Sequence, residues 1–300
     1  MGLDHARGGE AALEAVKPAP FEYHAPRTVE EAVALLAEVA PRDGRVLAGG
    51  QSLVPAMALR LARPAHLVDI NAVSGLDRLR VEAGDLVIGA CVRHAAFDRP
   101  AAGGPLGTLL AQVARHIAHW PVRTRGTFCG SIANADPASE WCLLAATLDA
   151  TMVARSVRGA RAIAAAGFFH GAMATALAAD ELLVEVRVPL LAADARCGFS
   201  EFSRRAGDFA IAMALATYRL ENGVMTDARV GIGAVESAPR RVGEAEAALN
   251  GKRPGEDAFR DAAAAVARAA APVGDIRYPA GYRRDVAAAM AQRALEGTVP

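Results

Sequence analysis

Hydrophobic positions change their period several times along this chain, and each change marks an element. Val29, Val33, Leu36 and Val39 recur at helical spacing, the stripe of an amphipathic helix over 29–39. Thr28, with Glu31 three residues on, supplies a capping box at its start. Pro41 and Gly44 end it. Arg45 to Ala48, His66 to Ile70 and Asp85 to Ala90 are short apolar runs that read as strands, and Leu53 to Leu59 can be helical. Leu109, Leu110, Val113 and Ile117 share one side of a helix over 106–117. From His119 to Asp136 the pattern loses its period and fills with Gly, Thr, Ser and Asn, so this stretch reads as loop. Ser139 to Leu148 reads as helix, and 150–155 and 161–165 as short strands. Leu182, Val184, Val186 and Val188 then alternate with Leu183, Glu185 and Arg187, a strand stopped by Pro189.

A polar turn follows, and the domain boundary is placed there, between 192 and 193. Beyond it come a strand at 198–204, an apolar segment at 210–220 and the turn Glu221-Asn222-Gly223. Asn-Gly between apolar runs is a hairpin signal. Val230 to Val235 is the next strand, and Ala-rich helices at about 240–249, 255–270 and 280–296 close the chain. Residues 1–20, ending in Lys17-Pro18-Ala19-Pro20, read as a mobile tail, with order beginning at Phe21. No internal repeat is present.

Composition narrows the function classes. The length of 300 residues suits about two domains. Lys+Arg and Asp+Glu are 33 each, so there is no basic excess of the kind bulk nucleic-acid binding needs. The cysteines, Cys91, Cys129, Cys142 and Cys197, make no C-x-x-C pair, so the chain carries no iron–sulfur or zinc framework of its own. They are also too sparse for a secreted disulfide scaffold. Met1 to Pro20 lacks the apolar segment of a signal peptide. No apolar run reaches the roughly 18 residues of a membrane span, and a cytoplasmic location is expected.

Two glycine-containing segments carry the candidate chemistry. The first is Ala48-Gly49-Gly50-Gln51-Ser52-Leu53, between a strand and a helix. Consecutive glycines let backbone N–H groups approach an anion; an ordinary tight turn is the alternative. The second is Arg125 to Asp136, with Gly126, Thr127, Cys129, Gly130, Ser131 and Asn134. So many polar groups inside an apolar domain need partners, which a phosphate-bearing cofactor or plain solvent would supply. There is no G-x-x-x-x-G-K-[ST], and Gly231-Ile232-Gly233 runs into Ala-Val-Glu-Ser, which breaks the dinucleotide fingerprint. His116 and His119 lack a third metal ligand nearby and read as surface histidines. Cys129 reads as a small residue filling a tight turn, and Ser131 has no nucleophile-elbow context.

With these segments in view, the chain resembles the FAD-binding medium subunit of the molybdenum hydroxylases, the xanthine dehydrogenase and aerobic carbon monoxide dehydrogenase family. Phe21-Glu22-Tyr23-His24-Ala25-Pro26 looks like the family's first strand, Ala48 to Leu53 its A-G-G-x-S-L loop, and Val122 to Pro137 its second loop. Gly207-Asp208-Phe209 and Tyr282-Arg283 resemble its C-terminal domain. The resemblance covers about 21–296 and implies an α+β fold. Residues 21–192 would form a two-subdomain FAD-binding domain of the PCMH, vanillyl-alcohol-oxidase-like type. Residues 193–300 would form a small α+β domain with a three-stranded antiparallel sheet and helices.

The resemblance also implies the site. Ala48, Gly49, Gly50, Gln51, Ser52 and Leu53, with Thr127, Cys129, Gly130 and Ser131, would clamp the FAD pyrophosphate through backbone N–H groups. Asp136 closes the second segment, Glu140 would lie near ribose and adenine, and Leu183 near the flavin. Ser203 stands where some members carry Lys, and Arg204 or Arg205 is the candidate substitute. Cys129 replaces the first glycine of the family's T-x-G-G; a positive φ there would cost about 1–2 kcal/mol. Phe209 replaces the Tyr of the carbon monoxide enzymes, which disfavours that substrate. By the same resemblance a large subunit carries molybdenum–pterin and a small subunit two [2Fe-2S] clusters, in a dimer of heterotrimers. This chain would pass their electrons from FAD to an external acceptor and hold no metal itself. A free-standing flavin oxidoreductase, and a binding protein that has lost the flavin, are the competing readings.

Overall fold

The computed structural model describes residues 17–298. The expected tail therefore lies, for residues 1–16, outside the described part. The Lys17 carbonyl accepts from Arg60 Nε at 3.2 Å. Strand β1 (Glu22–His24) pairs in parallel with β3 (His66–Asp69), which pairs in parallel with β2 (Gly44–Leu47), in the order β1-β3-β2. Helix α1 (Val29–Val39) makes the crossover, and its capping box forms as read: Glu31 N donates to Thr28 Oγ1 at 3.1 Å and Thr28 N to Glu31 Oε2 at 3.3 Å. Ala32, Val33, Leu36 and Val39 are its buried face. Helix α2 (Leu53–Ala58) follows the first glycine segment.

The second sheet is antiparallel, in the order β4-β5-β10-β6-β7, with β4 (Leu79–Glu82), β5 (Asp85–Gly89), β6 (Thr151–Ser156), β7 (Gly159–Ala164) and β10 (Leu182–Pro189). β8 (Phe169–Gly171) and β9 (Ala174–Thr175) pair with each other as a separate two-stranded ribbon. β10 is central in the five-stranded sheet, and its register against β6 shifts between Leu183 and Glu185. The strict alternation expected over 182–188 is broken there: Leu182 and Leu183 are both buried, before Val186 and Val188. A bulge of this kind re-aims side chains. Between β5 and β6 in the chain come α3 (Gly104–Ala114), α4 (Trp120–Arg123), α5 (Phe128–Asn134) and α6 (Glu140–Thr147), with α5 packed on β5 and β10.

The stretch 119–136 is thus not one loop. It folds as two helices too short to display a 3.6-residue period. Thr127 caps α5, and Phe128, Cys129 and Ile132 are its buried side. Cys129 has no positive φ, because it sits in a helical turn that any L-residue adopts. The strain its side chain would cause in a left-handed position does not arise.

The C-terminal sheet runs β11-β12-β13-β14, with β11 (Arg196–Phe202), β12 (Ala212–Glu221), β13 (Val224–Gly233) and the two-residue β14 (Arg240–Arg241). Three long antiparallel strands are as expected, and β14 adds a short fourth. Asn222 and Gly223 take φ of 53° and 76° at the β12–β13 turn, the left-handed pair that Asn-Gly accommodates. The apolar segment at 210–220 is β12. It lacks a polar face because both its faces are covered. Met213 and Leu215 join the core shared with the N-terminal half. Ala212, Ala214, Ala216 and Tyr218 join a second core with α7 (Gly243–Leu249), α8 (Glu256–Ala269) and α9 (Ala280–Glu296).

Candidate functional site

A cavity of about 870 Å³ lies where these parts meet, within the range of cofactor sites. Ala48, Gly49, Gly50, Gln51, Ser52 and Leu53 line it, and so do Cys129, Gly130, Ser131, Asp136, Glu140 and Leu183. The structure thus brings together twelve of the fourteen residues singled out in the sequence. Thr127 stands behind the wall, buried, its Oγ1 accepting from Gly130 N at 3.0 Å. Arg204 does not line the cavity; it is exposed and lies 3.7 Å from Asp208.

The two segments meet at their glycines. A Cβ on Gly49 would overlap the Arg125 carbonyl and come within 2.6 Å of Gly126 Cα. The pair is braced by two residues that the sequence reading passed over. Arg93 donates to the Arg125 carbonyl at 2.5 Å and to Asn71 Oδ1 at 2.6 Å. Asn71 Nδ2 donates to the Ala48 carbonyl at 2.8 Å. Both sit in segments without glycine or any motif, so no local signal marks them.

Backbone accounting separates the two segments. In the second, Phe128 N donates to Val92 O, Gly130 N to Thr127 Oγ1 and Ser131 N to Thr127 O. Among Phe128 to Ser131 only Cys129 N is left without an acceptor among the described residues. In the first, Gly49, Gly50, Gln51, Ser52 and Leu53 all have N–H groups that no acceptor among the described residues claims. Gly50, at φ 72°, lets the chain turn so that these donors follow one another. A run of unclaimed backbone donors on a cavity wall is an anion-holding device. It lies almost wholly in the first segment, not equally in both as the sequence suggested.

The titratable groups here are shifted by burial. Cys129 is inert: its Sγ donates to Ile88 O at 3.3 Å, and burial pushes its thiol pKa far up. His94, also missed, is buried on the cavity wall. Trp141 Nε1 donates to its Nδ1 at 3.0 Å, so the proton sits on Nε2. Burial, then Arg123 and Arg93, push its pKa down to about 4, so it is a neutral donor at neutral pH. Burial raises Glu140 to about 7. Glu201 on β11 is raised to about 8 by burial first and by Glu140 second; its Oε2 has no hydrogen-bond partner among the described residues, with His116 Nδ1 3.9 Å away. Other lining residues come from the rim, Met173 to Thr175 and Leu177 to Ala179, and from Gly207 to Phe209. The rim is Ala-rich and shows no period, so sequence did not mark it.

Both carboxyls have folded-state pKa values above their unfolded value near 4.5. Their contribution is fully present below that value and is lost as pH rises through about 7 to 8. The cofactor-free chain is therefore expected to melt at lower temperature at pH ~9 than at pH ~6, and Glu201→Gln to flatten that slope. Thermal scans over this range check it; identical slopes for wild type and variant would contradict the assignment.

His116 and His119 sit in different surroundings. The His116 ring packs edge-on against Phe199, and His119 lies beside Gly207. Among the described residues no helix is long and apolar enough to cross a membrane.

Comparison with known proteins assigns this arrangement. Residues 19–191 match the family described as FAD binding domain in molybdopterin dehydrogenase. Residues 198–298 match the CO dehydrogenase flavoprotein C-terminal domain. The nicotine 6-hydroxylase medium subunit of Paenarthrobacter nicotinovorans is 36% identical over 276 residues, covering 92% of this chain and 96% of that protein. The carbon monoxide dehydrogenase medium chain of Hydrogenophaga pseudoflava is 37% identical over 279 residues, covering 93% and 96%. The solved structure of carbon monoxide dehydrogenase from Hydrogenophaga pseudoflava lacking the Mo-pyranopterin moiety superposes with a TM-score of 0.89 at 38% identity, covering 94% of this chain and 98% of that one. The donor run, the cavity and both domains thus converge on one assignment: the chain belongs to the family of FAD-binding medium subunits of molybdenum hydroxylases, and is an oxidoreductase subunit.

Proposed function

We propose that this chain holds one FAD along the cavity, receives electrons from [2Fe-2S] clusters on a small partner subunit and delivers them to an external acceptor. A large partner subunit would oxidise the substrate at a molybdenum–pterin centre, the whole forming a dimer of heterotrimers. The observation that carries this reading is the run of unclaimed N–H groups from Gly49 to Leu53. A diphosphate supplies the acceptors that this run lacks, and the residues present therefore fit the cofactor.

When bound, FAD supplies the redox chemistry, and the protein supplies binding, orientation and electrostatics. The N–H groups of Gly49 to Leu53 hold the diphosphate, and Cys129 N adds one donor from the other side. Arg93 and Asn71 keep the two segments at fixed spacing. Glu140 would serve the ribose and adenine and Leu183 the flavin; both line the cavity, as does His94 with its neutral Nε2–H. Arg204, off the cavity wall, receives no cofactor role.

The cysteines support an electron source on another chain. All four are free, and Cys91, Cys129 and Cys142 are buried. Burial raises Cys91 to about 11, Cys142 to about 12 and Cys197 to about 12. Such thiols stay protonated, whereas cluster ligands are thiolates. Unpaired cysteines also suit a reducing, cytoplasmic setting. Relatives named for nicotine and for carbon monoxide resemble this chain about equally, which supports substrate choice residing in a partner subunit.

Gentle isolation from the native source tests the assembly. The chain is expected to co-elute with one larger and one smaller chain, together with molybdenum, iron and FAD. A chain that elutes alone, lacks both metals and still turns over a substrate would replace this reading with a free-standing flavin oxidoreductase.

A further inference from the structure

On the far edge of the parallel sheet, Glu22, His24 and His66 converge. Glu22 and His24 are two apart on β1, so their side chains share a face. β3 places His66 in register with Glu22. His24 Nε2 lies 3.2 Å from His66 Nδ1, and Glu22 Oε2 lies 3.4 Å from the same nitrogen. All three donor atoms fall within 4.8 Å of one another. His66 is buried, His24 half-buried and Glu22 exposed.

The two separations at His66, 3.2 and 3.4 Å, match edges of a coordination tetrahedron. Zinc–nitrogen and zinc–oxygen bonds of about 2.0–2.1 Å put neighbouring ligand atoms about 3.3–3.4 Å apart. His24 Nε2 and His66 Nδ1 face each other at hydrogen-bond distance, and on binding an ion between them each ring can keep its proton on its other nitrogen. The donor set of two imidazoles and one carboxylate suits a borderline divalent ion such as Zn²⁺. It is not a general acidic patch.

We propose that Glu22, His24 and His66 form a divalent transition-metal site of the zinc type, made of residues that do not line the cavity. Three protein ligands leave one tetrahedral position for water. The ion ties edge strand β1 to β3, so its effect is to fasten the first strand of the described chain. β1 is three residues long and otherwise held by its parallel pairing to β3, which leaves it the element with most to gain.

The test uses the full, FAD-loaded chain without a histidine tag, stripped with a chelator and titrated with Co²⁺ followed by visible spectroscopy, and with Zn²⁺ by calorimetry. One equivalent of Co²⁺ is expected to give the intense d–d bands of a tetrahedral site, displaced by Zn²⁺, and Zn²⁺ is expected to raise the melting temperature. Losing an outer-shell partner of a metal ligand costs 10–100-fold in affinity, so loss of a ligand, in His24→Ala, is expected to cost about 100-fold or more. His24 is only half-buried, so the variant keeps its fold, which the FAD spectrum verifies. Glu22→Gln, on an exposed side chain, is expected to weaken binding about tenfold, and His119→Ala to change nothing. Absence of a tetrahedral Co²⁺ spectrum in the wild type, or equal affinities for wild type and His24→Ala, would overturn the site.

Discussion

Gly49→Ala is expected to strip the chain of its FAD. The added methyl would overlap the Arg125 carbonyl and press on Gly126 Cα. Both are backbone, so no side-chain rotation relieves the contact. The two cavity segments must separate, and the N–H run that starts at Gly49 loses its alignment. Overpacking of this kind costs about 1–3 kcal/mol, which corresponds to FAD binding roughly 10- to 100-fold weaker. The matched control is Gly84→Ala. Gly84 takes a positive φ of 89°, which Gly49 does not, so the control carries backbone strain of its own; but a Cβ there meets nothing within 4 Å, and it lies in the β4–β5 turn away from the cavity. Flavin retention after gel filtration separates the cases: lost in Gly49→Ala, kept in Gly84→Ala. Equal retention in both would remove the close approach of the two segments from the account.

The largest stability loss is expected at Trp141, from about 3 to 5 kcal/mol on replacement by Ala. Its side chain is fully buried behind the cavity, with ring centroids 4.8 Å from Phe128 and 5.1 Å from Phe97. Phe128 opens α5 and Trp141 lies in the first turn of α6, so this aromatic cluster locks the two helices that carry Cys129, Gly130 and Glu140. Truncation leaves a cavity and takes the partner from His94 Nδ1. Trp141→Phe separates the two effects, since it keeps most of the packing and removes the N–H; about 1–3 kcal/mol is expected for the orphaned acceptor. Denaturant titration of the three proteins checks the order. Equal losses in Ala and Phe variants would mean that packing is not the main term.

Much of this architecture was legible in the sequence where one face of an element is wet. α1 announced itself by its stripe and its Thr28–Glu31 box, and the β12–β13 turn by Asn222-Gly223. β12 itself was not recognised as a strand, because burial on both faces erases the alternation that identifies strands. α4 and α5 were read as loop for a different reason: four and seven residues do not complete two helical turns.

The site divides in the same way. The glycines at 49, 50 and 130 mark places where backbone must come close to something, which sequence reports directly. The brace made by Asn71 and Arg93, and the neutral donor His94, are products of tertiary proximity. Each bonds to a residue more than 20 positions away, so no local pattern encodes them. The division of labour between the two segments was also hidden. Only a full accounting of N–H partners shows that Thr127 occupies Gly130 N while Gly49 to Leu53 keep theirs for a ligand.

The central claim is that this chain binds FAD in the cavity walled by those donors. The direct measurement is the flavin content of the purified wild-type chain, by absorbance before and after denaturation, with the released flavin identified by chromatography. The account predicts a yellow protein carrying about one FAD per chain, or taking up that amount when FAD is added. A colourless, folded chain that fails to bind added FAD would contradict it.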